Sequence, residues 1–192
     1  MSVDRAPYLT PAEYLEIERK AETKSEYYDG EMFAMSGASR QHNRITLDVA
    51  TALNAALMNT RCEPFSTDMR VKVTAAGLYA YPDVVVVCDE PEFEDQELDT
   101  LLNPTLIIEV LSTTTEAWDR GRKFELYRSV ESLKEYVLID QNRPHVERYL
   151  RQGETWVLTE LSDLNAELEL PSVGCRIALK EIYRRVPFDE PQ

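Results

Sequence analysis

Two carboxylates stand beside or inside strands of buried type. Tyr81-Pro82-Asp83 opens the run Val84-Val85-Val86-Val87, and Glu109 lies within Leu106-Ile107-Ile108-Glu109-Val110-Leu111. An ionised carboxylate in such apolar surroundings is costly unless a positive group meets it. A divalent cation is the natural neutraliser, and metal-assisted phosphodiester cleavage is the chemistry that most often calls for paired acids of this kind. Hard oxygen donors suit Mg2+, or Mn2+ in its place, better than zinc, because no cysteine pair or histidine pair accompanies them. The competing account puts Glu109 on a surface-facing strand position or in a structural ion pair.

Downstream, Asp119, Lys123 and Tyr127 recur at i, i+4, i+8 and so share one helix face. Alone, the Asp119–Lys123 spacing describes a surface pair worth roughly 0.2–0.5 kcal/mol. Placed over the two acids, the Lys123 ammonium would orient an attacking water or offset negative charge at phosphorus. The surrounding stretch 119–128 sets Arg120, Arg122, Lys123 and Arg128 against Asp119 and Glu125, which makes it the expected place for an anionic ligand. Arg120 and Arg122 would then meet flanking phosphates. Earlier in the chain, Glu26 would complete a metal shell directly or through water. His42 opens a long helix, where it serves a structural role or hydrogen-bonds a phosphate or a metal-bound water.

These residues need elements to hold them. Thr10-Pro11-Ala12-Glu13 has the form of a capped helix start, with the helix running to about Ala21. Asp29-Gly30 joins strands at Ser25–Tyr28 and Glu31–Met35 into a hairpin. Ile45, Val49, Leu53 and Leu57 recur every four residues and mark an amphipathic helix over about 41–58. Short strands are expected at 62–65, 69–74, 83–88 and 105–111. A helix follows from a cap at Thr113–Thr115 to about Arg128. Glu135–Asp140 is another strand, and 146–150 pairs with 155–160 across Arg151-Gln152-Gly153-Glu154. The tail, 176–185, is expected to form a last short helix. The pattern is a mixed α/β domain: a mixed central sheet flanked by helices, with β-hairpins at its periphery.

The 192 residues fit one domain over 1–192, with its core over about 10–160. A net charge of −14 argues against a broad basic footprint for nucleic acid. Much of that charge is local, since Asp89 to Asp99 holds seven acids and no base and is expected to be a solvated loop. The amino terminus shows no apolar signal core, and no apolar run approaches a membrane span. Cys62, Cys88 and Cys175 are widely spaced and odd in number. They are expected to be buried or incidental thiols of a reducing compartment, hence a cytoplasmic protein. Serine or cysteine hydrolysis is disfavoured, because no Gly-x-Ser-x-Gly occurs and only His42 and His145 are available as base.

Taken together the motifs resemble the PD-(D/E)XK, restriction-endonuclease-like superfamily, and more closely its Uma-two family of endonucleases. The resembling stretches are Glu26-Tyr27-Tyr28-Asp29-Gly30-Glu31, Ser36-Gly37-Ala38-Ser39 with His42, Pro82-Asp83-Val84, Ile108-Glu109-Val110-Leu111-Ser112 with Thr115, Asp119 with Lys123 and Tyr127, and Glu135–Asp140. The likeness implies a restriction-endonuclease-like core with a divalent metal, usually magnesium, held by Asp83, Glu109 and the Val110 carbonyl. It implies hydrolysis of DNA, with Asp83, Glu109, Lys123 and Glu26 as the catalytic set. The superfamily pattern puts a lysine two residues after the second acid, where this chain has Leu111; Lys123 is the matching helix-borne residue. Two alternatives stay open: a nuclease-fold binding or regulatory module that cuts nothing, and a homodimer with the strands of 135–160 as its interface.

Overall fold

The computed structural model describes residues 8–188; the amino-terminal stretch read above for a signal core lies outside them. Helix α1 (Pro11–Glu18) starts at the expected cap. The Glu13 N–H donates to Thr10 Oγ1 at 3.3 Å, and the Thr10 N–H donates to Glu13 Oε2 at 2.8 Å. It stops three residues before Ala21, at Glu18, whose buried carboxylate accepts the Ser25 N–H and the Tyr81 hydroxyl, each at 3.0 Å. Strands β1 (Ser25–Tyr28) and β2 (Glu31–Ala34) close on Asp29-Gly30, both with positive φ (48° and 84°), the backbone that a two-residue hairpin demands. Helix α2 (Arg40–Leu57) is capped by Ser39 Oγ, which accepts the His42 N–H at 3.0 Å.

Next come β3 (Glu63–Ser66), β4 (Arg70–Val73), β5 (Leu78–Ala80), β6 (Val84–Val87), β7 (Thr100–Leu101) and β8 (Leu106–Leu111). Segment α3 covers residues 116–127 and changes pitch midway. Glu116–Trp118 and Phe124–Tyr127 are α-helical, and Asp119–Lys123 between them forms a π-helical turn. The chain ends with β9 (Glu135–Asp140), β10 (Val146–Gln152), β11 (Thr155–Leu161), β12 (Glu167–Leu170), β13 (Cys175–Ala178) and α4 (Leu179–Ile182).

Six strands form the main mixed sheet in the order β11-β10-β9-β8-β6-β3, in which β8 and β9 run parallel and the other neighbours antiparallel. A second sheet has the order β2-β1-β5-β4-β7, and β12 pairs with β13. Strand alternation sends the apolar side chains of the main sheet into two clusters, one on each face. Val84, Val86, Leu106, Ile108 and Val110 pack against the Ile45, Val49, Leu53, Leu57 stripe of α2, together with Leu168, Ile177 and Ile182 from beyond residue 160. Val85, Val87, Ile107 and Leu111 face the opposite way, against β4, β5 and the α3 residues Phe124, Leu126 and Tyr127. No helix among the described residues is long and apolar enough to cross a membrane.

Several expectations change. Strand β5 and the β12–β13 hairpin went unanticipated, and 175–178 is a strand where a tail helix was expected, leaving only Leu179–Ile182 helical. Cys62 and Cys88 are not free thiols but a disulfide, and only Cys175 is free. The physical reason is register: with Glu63 opposite Val87 in the β3–β6 ladder, the next pair outward is Cys62 and Cys88. The cysteines therefore carry no argument for a reducing compartment. The acidic stretch is also partly tied down, because distant cations reach it. Arg19 pairs with Asp95 and Asp99, buried Arg70 pairs with Asp99 at 2.8 Å, and Lys72 pairs with Glu94.

Candidate active site

The β6–β8 ladder brings the first two acids together. Val84 lies opposite Ile108, so one step further along the antiparallel pair sets Asp83 opposite Glu109, on the same sheet face. Asp83 Oδ2 accepts the Val110 N–H at 2.7 Å, which ties the start of β6 to the middle of β8. Glu109 is 4% exposed, so it is neither a surface position nor an edge one. Leu111, where the superfamily pattern has its lysine, is 3% exposed and packs in the core against α3.

Lys123 reaches the same spot from α3. Its Nζ lies 2.9 Å from Glu26 Oε1, 2.9 Å from Glu109 Oε1 and 3.5 Å from Asp119 Oδ1. The helix face anticipated from i, i+4, i+8 spacing is thus the buried one, and the Asp119–Lys123 pair is not a surface pair. Tyr127, the third member, points its hydroxyl at Glu109 Oε1 at 3.4 Å. Glu26 arrives from β1, in the other sheet, where its Oε1 also accepts the Tyr81 N–H at 3.2 Å. His42, at the start of α2, places Nε2 3.3 Å from Asp83 Oδ2.

The electrostatics follow from one ammonium sharing a buried space with several carboxylates. Burial pushes the Glu109 carboxyl well above its ordinary value; Lys123 opposes this, and Asp119, Asp83 and Glu26 add to it. Burial likewise raises Asp119 against the pull of Lys123. For Lys123 burial works downward, yet the Glu109 and Glu26 carboxylates outweigh it and hold the amine protonated. His42 is also raised, because its bond to Asp83 overcomes the cost of burial. Lys123 thus stands in the cluster as a cation and hydrogen-bond donor.

The two arginines separate. Arg122 donates to Tyr28 Oη at 2.7 Å and pairs with Glu125 at 2.8 Å, and it stays half exposed. Arg120 is occupied instead by Glu116 at 2.9 Å and by Glu147 of β10. Asp119, singled out only as Lys123's neighbour on the helix, is 3% exposed and is a full member of the cluster. Its spacing to Lys123 was the available signal. For Glu147 no local signal existed, because its role depends on where β10 folds.

A family described as "Putative restriction endonuclease", Uma2, matches residues 11–180. The uncharacterized protein sll1609 of Synechocystis sp. is 42% identical over 170 residues, covering 88% of this chain and 96% of that protein. A second Synechocystis protein, slr1290, also described as uncharacterized, is 34% identical over 183 residues and covers 95% of each. Among solved structures, the crystal structure of "a putative nuclease belonging to DUF820" from Anabaena variabilis superposes with a TM-score of 0.73 at 17% identity. It covers 91% of this chain and 97% of that one, so the restriction-endonuclease-like architecture expected from the motifs is the fold of this protein. By the extent of the family match and by its identity to sll1609, this chain belongs to the Uma2 family.

Proposed function

We propose that this protein is a divalent-metal-dependent endonuclease that hydrolyses phosphodiester bonds in DNA. The observation that carries the reading is the convergence of Glu109, Glu26 and Asp119 on the single ammonium of Lys123, with Asp83 opposite Glu109 in the β6–β8 ladder. Four buried or half-buried acids face Lys123 and, at Asp83, His42, an excess of acidic groups that a divalent cation would relieve. The proposed donor set fits magnesium or manganese: carboxylate oxygens of Asp83 and Glu109, the Val110 carbonyl as a further ligand, and no thiolate. Such an ion supplies Lewis-acid polarisation of a phosphoryl oxygen and a more acidic bound water.

The chain's own groups account for the remaining tasks. The Lys123 ammonium donates toward the attacking water or the developing phosphorane charge, in a site where burial strengthens the interaction. Glu26 holds Lys123 in place from the opposite sheet. His42, kept toward its protonated form by Asp83, donates to a phosphate oxygen. Arg122, on the solvent side of α3, binds a flanking phosphate. Arg120 takes that role only if it leaves Glu147.

The test is cleavage of supercoiled plasmid and single-stranded DNA with Mg2+ or Mn2+ by the parent and by Asp83→Ala, Glu109→Ala and Lys123→Ala. Equal cutting by all four proteins would sink the site assignment. Calorimetry with Mg2+ separates the enzyme from a nuclease fold that binds but does not cut, since that module need not hold the ion. Light scattering at several concentrations tests the homodimer.

A further inference from the structure

We propose that His145, Glu147 and Glu160 form a second cation site, for a first-row transition dication such as Zn2+. One ligand atom from each converges within 4.8 Å of the others. The fold makes this meeting: Glu147 and Glu160 are directly opposed in the β10–β11 ladder, and His145 immediately precedes β10. His145 Nε2 lies 3.4 Å from Glu147 Oε1 and 3.4 Å from Glu160 Oε1, so the imidazole edge faces both carboxylates. On its other side Nδ1 lies 3.0 Å from Ser162 Oγ. With the proton on Nδ1, that contact fixes the tautomer and aims the Nε2 lone pair into the cluster, the outer support that metal-bound histidines usually have. Tyr149 holds Glu147 Oε2 at 2.9 Å and so fixes the carboxylate plane, leaving Oε1 turned toward the histidine.

One imidazole and two carboxylates suit zinc and its first-row neighbours better than magnesium. Three protein ligands leave coordination positions open to solvent on the Glu160 side, where that side chain is 58% exposed. The same Glu147 Oε1 contacts the Arg120 guanidinium, so a cation there competes with Arg120 for one oxygen. Occupancy of this site and the direction in which Arg120 points are therefore linked, and Arg120 sits on the π turn beside Asp119.

The experiment uses the full chain carrying Asp83→Asn, so that the two sites are read separately, and titrates Zn2+ by calorimetry and Co2+ by its visible absorption. The expected result is one bound equivalent with a dissociation constant on the order of micromolar. Affinity should fall by about tenfold or more in His145→Ala and in Glu160→Gln. Glu160 is exposed, so its variant keeps the fold even if the histidine variant does not. Unchanged binding in Glu160→Gln, or no binding of either metal at millimolar concentration, would overturn the proposal. Loss of Mg2+ binding at Asp83 would not, because that site is read independently.

Discussion

Asp83 accepts the backbone N–H of Val110 at 2.7 Å, across the ladder from the start of β6 to the middle of β8. The same carboxylate is thus both a structural acceptor and a proposed metal ligand, and the two roles can be separated. Asp83→Asn keeps an oxygen for the Val110 N–H and removes the charge. Asp83→Ala removes both and should cost about 1 kcal/mol more in denaturant unfolding, the usual value of one such bond. Both variants should lose cleavage by at least roughly a hundredfold, since the charge is what chemistry needs. Plasmid nicking rates with matched unfolding curves check the pair; an active Asn variant would remove Asp83 from the metal shell.

Lys123→Met removes the ammonium that Glu26 and Glu109 share. Leaving those carboxylates uncompensated should destabilise the fold by about 3–5 kcal/mol at neutral pH. Lys123→Arg keeps the charge and should restore most of the stability. Chemical denaturation of the three proteins measures it, and a Met variant as stable as the parent would mean the pair is weaker than its burial implies.

Magnesium should stabilise the parent. At a hundred times its dissociation constant the gain is about 2.7 kcal/mol. For a chain of this size that corresponds to roughly 5–10 °C in melting temperature. Differential scanning calorimetry on the parent and Glu109→Gln checks this, with the shift absent in the variant.

Asp99 sets a separate, pH-dependent contribution. Hydrogen bonding from Arg19 holds its carboxyl well below the ordinary 3.8, with the Arg70 guanidinium adding to the effect. A depressed carboxylate contributes stability that is present above its unfolded pKa and is lost as pH falls toward the folded value. The parent should therefore weaken below about pH 4 while Asp99→Asn shows a flatter acid limb. At neutral pH the variant should be less stable by about 3 kcal/mol, because Arg70, 2% exposed, loses its anion. Urea midpoints from pH 3 to 7 provide the comparison.

The Cys62–Cys88 bond closes a loop of sequence separation 26. Closing a loop of that length constrains the unfolded chain by about 3.5 kcal/mol. Cys88→Ser, or reduction, should lower stability by about that amount. Thiol titration of the unfolded parent should find one free thiol, Cys175, before reduction. Three free thiols without reductant would show that the bond does not form.

Local chemistry written in the chain was enough for much of the architecture. The Thr10–Glu13 capping box, the Asp29-Gly30 turn, the four-residue stripe of α2 and the largely apolar strands β6, β8 and β9 each act within a few residues, so their signals survive in one dimension. The motif set around Asp83, Glu109 and Lys123 was legible for the same reason, and the helix face of Lys123 followed from spacing. Other features exist only after distant segments meet. Glu26 reaches Lys123 from a different sheet, 97 residues away in sequence. Arg120, equally basic and equally placed on α3, is turned to Glu147 because β10 folds beneath it. Cys62 and Cys88 become partners through ladder register, and Arg70 draws Asp99 out of what composition alone describes as a solvated acidic loop. Charge pairing and strand register are properties of the folded neighbourhood, and no window of sequence contains them.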